Sequence, residues 1–348
     1  MTACLGTGEY VARFVQRVAT SRGIVRRPLG EVPASGGEWA RALNETTGAS
    51  VTVAVGSDRS LLRRIVPWRH ELEIVRNGEA CWSGPVQDVL SNPDAGAVTF
   101  PALDLSAWWA ERVILDDLVY RGTDLAEVFG ALLAYAEAVG PIGLEVETRA
   151  SGVTGDRTYA AIDARELAGE LSELATAGCD WTVTGRQAWV GGQEIAPGRR
   201  LRSPLLDEAF RVPPPTRLSG AMVTDAIVRG SQVLGRAGGA DPDGVVLQRV
   251  RDASTIEDQD SADAAALSWL DRAHDPLVYV DGDATLAPSA PVSMDELIPG
   301  VVARVDLEGQ GVLPVADVLR LERLSVTFDG DGEAAVVALQ PVGTVEDG

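Results

Sequence analysis

Asn77-Gly78 constrains this chain more than any other pair of residues. A two-residue turn with positive φ at both positions is what this dipeptide favours, and it joins antiparallel strands. The flanking sequence, WRHELEIVRNGEACWSGPV over 68–86, supplies them. From His70 to Arg76, Leu72 and Ile74 fall on one side and Glu71, Glu73 and Val75 on the other; Glu79 to Val86 returns. Pairing across the turn sets Arg76 opposite Glu79, Ile74 opposite Cys81 and Glu73 opposite Trp82. Ser83-Gly84-Pro85 removes a side chain and then a backbone donor, so the ladder is expected to break there, with Gly84 and Pro85 releasing the strand.

More strands surround this hairpin. Residues 9–18 fit either a helical face (Val11, Phe14, Val15, Val18) or one side of a strand (Tyr10, Ala12, Phe14), and the strand is favoured because Ser21-Arg22-Gly23 turns into an extended stretch, 24–32. Residues 39–43 read as the next strand, 44–48 as a turn, and Val51, Val53 and Val55 alternate with Thr52 and Ala54. With 97–103 this gives about six strands in a hundred residues, the spacing of a small barrel or sandwich.

The pattern changes at Asp104. A short helix over 105–112 carries Trp108 and Trp109. Thr123 can cap a longer helix whose apolar face is Leu125, Val128, Phe129, Leu132, Leu133 and Val139, ended by Gly140-Pro141. Asp163 and Glu166 have capping-box spacing before a helix lined by Leu167, Leu171 and Leu174 and closed by Gly178. Residues 181–183 and 187–190 form a hairpin across Gly185. Pro213-Pro214-Pro215 marks a boundary. Beyond it, strands are expected at 221–228, 277–280, 301–307, 319–328 and 334–339, and Ser261 caps a helix over 262–273 with Leu267 and Leu270 inward. Residues 235–244 hold too many turn formers for a regular element. The expected fold class is mainly β with an α+β insertion, divided at 1–104, 105–205 and 206–348. A chain of 348 residues is also long for a single core.

Composition removes several classes of function. All basic side chains are Arg and none is Lys, which excludes P-loops, kinases and Schiff-base enzymes. Residues 1–100 carry 11 Arg against 10 acids, and residues 101–348 carry 19 against 41. So acidic a surface discourages stable binding of nucleic acid and suits solubility, or a surface along which DNA passes without sticking. Cys4, Cys81 and Cys179 are widely spaced and read as free, mostly buried thiols. No apolar run reaches the roughly 20 residues of a membrane span. The N-terminus lacks a basic segment followed by an apolar one, so cytosolic synthesis is expected.

Catalytic and metal signatures are weak. G-x-S-x-G and H-E-x-x-H do not occur, and only His70 and His274 are present. His70 lies in an expected strand, and His274 ends a helix, where the dipole favours it. The Asp-Gly clusters at 241–244, 281–283 and 329–332 lack the ligand spacing of a calcium loop and read as turns. Asp116-Asp117 is an unremarkable pair in a chain with 51 acids. A glycosidase pair is separated in space rather than in sequence, but sugar sites are rich in exposed aromatics, and all aromatic residues together are only 5% of the chain. Core packing accounts for most of the Trp residues. No cofactor or metal is expected, and no enzymatic activity.

Three stretches together resemble a known family. They are GEWARALNETTGASVTVAV, with its Trp39-x-Arg41 strand; PWRHELEIVRNGEACWSGPV, with Trp68, Asn77-Gly78 and Trp82-Ser83-Gly84-Pro85; and LIPGVVARVDL, with Pro299-Gly300, followed by RLERLSVTFDGDGEAAVVALQP. In order and spacing they are similar to the minor tail proteins, or tail-tip (baseplate) hub proteins, of long-tailed phages of actinobacteria. The resemblance implies two small β-barrel, tail-tube-like domains with a smaller α+β domain, and a homotrimer whose six barrels join a hexameric tube to a threefold tip. It implies a virion location and contacts with the distal tail protein, the tape measure protein and other tail-tip proteins. Passage of DNA without specific binding follows too. Some hubs carry a hydrolase or receptor-binding domain after the last strand pair, which is not expected here. A carbohydrate-binding or glycan-degrading tail protein, and the hub of a non-viral injection or gene-transfer particle, stay open as alternatives. In this reading Trp82 packs inside the first barrel.

Overall fold

The computed structural model describes residues 5–20, 23–56, 58–192, 200–220, 222–253, 259–273 and 278–342. Cys4, the Ser21-Arg22 turn and His274 lie outside the described residues.

The N-terminal part is built from β1 (Tyr10–Thr20), β2 (Gly23–Ala42), β3 (Gly48–Ala54), the short helix α1 (Arg59–Leu62), β4 (His70–Arg76), β5 (Glu79–Pro85), β6 (Leu90–Asn92) and β7 (Ala97–Leu103). The ambiguous segment 9–18 is a strand: the alternation of Ala12 and Phe14, both fully buried, prevails over the helical pattern. The two strands expected at 24–32 and 39–43 are one, β2, whose first half pairs with β1 and whose second half pairs with β3. β1 also pairs with β4, β4 with β5, and β3 with β7. Val86, just past β5, bridges Ala102 of β7. A ring β2-β1-β4-β5-β7-β3 results, closed by one bridge rather than a ladder. This is the barrel-like first unit.

The hairpin departs from expectation twice. Arg76 does face Glu79, but a bulge between Ile74 and Val75 sets Ile74 opposite Trp82 and Glu73 opposite Ser83, with Cys81 as the extra residue. Pairing does not falter at Ser83-Gly84-Pro85: Leu72 faces Gly84 and Glu71 faces Pro85. Proline is tolerated there at the last position of the strand. Glycine serves close approach instead of release, since a Cβ on residue 84 would lie 1.7 Å from the Leu103 carbonyl oxygen.

The middle unit comprises α2 (Ala107–Ala110), β8 (Val113–Ile114), β9 (Leu118–Asp124), α3 (Leu125–Val139), β10 (Glu145–Thr148), β11 (Thr154–Tyr159), β12 (Arg165–Glu166), α4 (Leu167–Thr176), β13 (Asp180–Thr184) and β14 (Gln187–Gly191). It has its own core, in which Phe129, Leu132, Leu171 and Leu174 surround Trp109 and Trp181. Val139, assigned to the apolar face, is exposed at the fraying end of α3. The cap of α3 is Asp124, not Thr123: its carboxylate accepts from the Ala126 amide at 2.8 Å, while Thr123 belongs to β9. Asp163 does not cap α4 either. It sits in a short 3-10 turn, because β12 intervenes and α4 begins only at Leu167.

The remaining elements are β15 (Leu205–Leu206), β16 (Thr216–Leu218), β17 (Asp225–Arg229), β18 (Leu234–Gly238), β19 (Gln248–Asp252), α5 (Gln259–Ala273), β20 (Val278–Val280), β21 (Asp283–Thr285), β22 (Val302–Leu307), β23 (Val315–Asp329) and β24 (Gly332–Pro341). β15, β22, β23, β24 and β21 form a second ring, closed by a bridge between Phe210 and Leu286. Between its parts, β17, β18, β19 and α5 make a small α/β unit around Val228, Ala266 and Trp269. Strand β18 therefore occupies part of the stretch 235–244 that turn formers seemed to forbid: Gly235 and Gly238 are needed where the strand presses on the backbone of Ala262 and Thr224. Helix α5 begins two residues before Ser261, and Leu267 is exposed rather than inward.

The two rings are not separate sheets. Gly37 to Ala42 of β2 pair with Phe328 to Arg323 of β23, so one twelve-stranded sheet runs through both, and one hydrophobic core spans them.

Candidate functional site

The joint between the two rings collects most of the residues that the sequence marks. Trp39 and Arg41 are two apart on β2 and so share a face. Both are buried, and the Arg41 guanidinium lies 5.0 Å from the Trp39 ring centroid. Arg41 has no carboxylate within ion-pair distance among the described residues. Instead Nη1 donates to the Met294 and Leu297 carbonyls at 3.2 and 3.3 Å, and Nη2 to the Cys81 carbonyl at 2.6 Å. Burial pushes the Arg41 guanidinium below its ordinary pKa. A buried cation with backbone acceptors on two rings fixes their separation, because either carbonyl set alone leaves donors unsatisfied.

A second cross-link lies nearby. Arg76 of β4 donates to Glu333 of β24 through Nε at 2.8 Å and Nη2 at 2.5 Å, while the Tyr10 hydroxyl donates to the same carboxylate at 2.5 Å. Tyr10 also stacks on Phe328 of β23, centroids 3.8 Å apart. Burial pushes Glu333 up, but the hydrogen bonds from Arg76 and Tyr10 outweigh it, and its pKa lies below the usual value. Burial and the bond to Glu333 push the Tyr10 phenol up.

Asn77 and Gly78 have φ of +51° and +88°, the turn that the dipeptide promised, and the Asn77 side-chain oxygen accepts from the Glu9 amide at 2.9 Å. Trp82 is buried in the hydrophobic core that spans both rings. Pro299-Gly300 forms a tight turn, Gly300 at φ +92°, with Val301 N bonded to Ile298 O at 3.0 Å. That turn delivers Ile298 and Val301 to a small cluster with Leu43, just past β2, and Trp189 of the middle unit. Trp68 is the exception: it sits at φ +62° just before β4 and is 39% exposed, away from the core.

The sequence missed how the middle unit docks. Glu71 and Glu73, placed on the open side of β4, are buried. Arg26 bonds to both, and Arg186, between β13 and β14, donates to Glu71 at 3.0 Å. Asn44 bonds to Asp180 and Trp181, Thr182 to the Ala42 carbonyl, and Arg320 of β23 to Asp180 at 2.7 Å. The only signal for this was the unusual pair of acids in a strand that otherwise reads as core. A cleft of about 360 Å³ remains where the three units meet, lined by Arg41, Cys81, Thr184, Arg186 and Asp295. Burial pushes the Cys81 thiol up to about 12, which favours its protonated form. His70 is buried, its Nδ1 accepting from the Val66 amide at 2.8 Å. Among the described residues no group of three His, Cys, Asp or Glu could hold a metal ion, and no helix is long and apolar enough to cross a membrane.

Solved structures share this arrangement along nearly the whole chain. A tail protein from Neisseria meningitidis MC58 is 12% identical with a TM-score of 0.63, over 96% of this chain and 97% of that one. The 43 kDa tail protein of prophage MuSo2 from Shewanella oneidensis is 12% identical with a TM-score of 0.61, over 94% and 97%. The chain has the tail-protein fold. Prophage tail protein gp18 from Listeria monocytogenes EGD-e shares this tail-protein fold at 9% identity and a TM-score of 0.57, over 97% and 95%. The fold also occurs within a longer chain of the Francisella PdpA-VgrG complex, of which this chain covers 54% at 9% identity and a TM-score of 0.52. No family model matches the sequence, and no curated protein matches it.

Proposed function

We propose that this chain is a structural subunit of a phage-type tail tip: a baseplate hub whose copies assemble three to a ring and close or continue the tail channel for DNA ejection. The observation that carries the reading is the end-to-end likeness to phage and prophage tail proteins, whose length the chain nearly equals. Two barrel-like rings locked by a shared ladder support it, because three copies of a rigid pair present six similar units to a sixfold tube. The acidic balance supports a channel that repels phosphate and lets DNA pass. The distal tail protein and the tape measure protein are the proposed neighbours, and a long-tailed actinobacterial phage is the proposed source. The role is non-enzymatic. The units 1–104, 105–205 and 206–348 are proposed as building blocks, the first and last cooperating through their common sheet.

Light scattering on the purified protein, with micrographs of the same sample, tests the reading. Trimers seen as rings are expected; a monomer at every accessible concentration overturns it. A second reading, the hub of a non-viral injection or gene-transfer particle, is favoured by the likeness to a chain of the PdpA-VgrG complex. The glycan-binding alternative has less support, since seven of the eight Trp residues are buried and no aromatic platform is formed among the described residues.

A further inference from the structure

A second cleft, of about 570 Å³, opens where the first barrel meets the middle unit. Its wall carries Arg17, Arg69, Arg112, His70 and Trp68, and no carboxylate among the described residues lines it. In a chain with 51 acids and 30 arginines, such a wall is against the odds. The segment that supplies Trp68, Arg69 and His70 to it is basic too, since residues 58–70 hold four arginines and one acid.

These arginines are incompletely satisfied. Arg112 donates through Nη2 to the Gly140 carbonyl at 3.3 Å, and its Nε has no partner. Arg69 is exposed, and among the described residues neither Arg69 nor Arg112 has a carboxylate partner. Arg17 is committed elsewhere: it bonds to the Pro141 carbonyl, lies 3.8 Å over the Trp108 ring and stands 3.4 Å from Glu71. Two acids that act on Arg17 are engaged as well, Glu71 by Arg26 and Arg186, and Glu137 by the Ile142 and Gly143 amides. Trp68 stands at the rim. A bulky residue at φ +62° is an outlier, and such strain persists only where the surrounding structure enforces it. Here the Trp68 amide is held by the Val86 carbonyl at 2.8 Å, so the indole faces solvent while the other seven are buried.

An exposed Arg69 guanidinium and an Arg112 guanidinium held only by the Gly140 carbonyl among the described residues, with an aromatic beside them, suit carboxylates carried on a peptide that also has an apolar side chain. Nucleic acid suits them less, because one cleft of this size meets only one or two phosphates. The complementary charge lies in the chain itself, since residues 1–100 are near neutral and residues 101–348 carry 41 acids against 19 arginines. We infer that this cleft docks an acidic segment of a second copy of the chain, with its carboxylates on Arg69 and Arg112 and an apolar neighbour against Trp68. This rests on the self-assembly proposed above and adds where the copies touch.

Sedimentation of the wild type and the variant Arg69→Glu/Arg112→Glu across a concentration series tests it, with circular dichroism as the check on folding. The double variant is expected to keep its spectrum and to raise the dissociation constant at least tenfold. Trp68→Ala should weaken assembly several-fold. Raising salt from about 0.05 to about 0.5 M should weaken the wild type more than the double variant, because the attraction is screened. If the double variant misfolds, Arg69→Glu alone, on an exposed side chain, carries the test. A wild-type trimer that the reversals leave intact overturns the inference and leaves the ring reading standing. A wild-type assembly of another size that the reversals dissociate supports the inference and overturns the ring. A wild type that is always monomeric overturns both.

Discussion

Glu333 shows how a single side chain ties distant parts of the chain. Its carboxylate takes donors from Arg76 on β4 and Tyr10 on β1, and the Gly6 amide adds a third at 2.9 Å. The Glu333 side chain is fully buried and that of Arg76 is 6% exposed, so removing the charge of one strands the other in a poor solvent. Breaking such a buried pair costs about 3–5 kcal/mol. Glu333→Gln is therefore expected to lower stability by that order in a urea titration, with the fold otherwise intact. The pair also sets a pH dependence. The folded pKa of Glu333 is depressed, so its contribution is complete above the unfolded value of 4.5 and is lost as pH falls through the lower folded value. Stability of the wild type should fall below that pH by more than that of Glu333→Gln, measured as the midpoint of unfolding against pH.

At the scale of elements, the hairpin of β4 and β5 is held by close approach at one end and by turn chemistry at the other. Gly84 lies against the backbone of Leu103 and Asp104, and a Cβ would meet the Leu103 carbonyl oxygen at 1.7 Å and the Asp104 Cα at 2.8 Å. Backbone cannot yield as a flexible side chain can. Gly84→Ala must push β5 away from the end of β7, which is also where Val86 and Ala102 close the first ring. We expect a loss of at least about 2–3 kcal/mol, the upper range for overpacking, or failure to fold. Gly78→Ala, at a turn with open space around it, should lose only the smaller cost of a positive φ. Thermal unfolding of the two variants side by side checks the order; a Gly84→Ala protein as stable as Gly78→Ala contradicts it.

For the whole molecule, the decisive contact is the ladder between β2 and β23, which joins strands from opposite ends of the sequence. Each ring is built on one of these long strands: β2 pairs with β1 and β3 of the first ring, and the first half of β23 pairs with β22 of the second. A fragment of residues 1–104 leaves Gly37 to Ala42 with one open edge and exposes Trp39 and Tyr10, which pack on β23 and its neighbours. Such a fragment is expected to lack a cooperative unfolding transition in near-ultraviolet circular dichroism, whereas the full chain shows one. A fragment that melts cooperatively by itself contradicts this.

The sequence alone determined the features that depend on neighbours a few residues apart. The alternation in 97–103, the Asn77-Gly78 turn, the leucine stripe of α4 and the closing Gly178 are local because the strand period, the helix period and positive φ are properties of short stretches. Motif order carried further, to the mainly β fold that the tail proteins share. What only the tertiary structure decided is which surface each strand turns to what. Glu71 and Glu73 look like a solvated face until the Arg186 loop and Arg26 cover them. Gly84-Pro85 looks like a strand breaker until Leu103 lies against it. Arg41 looks like an ordinary polar position until carbonyls from two distant segments surround it. In each case the environment comes from residues far along the chain, and no local pattern records how distant backbones approach.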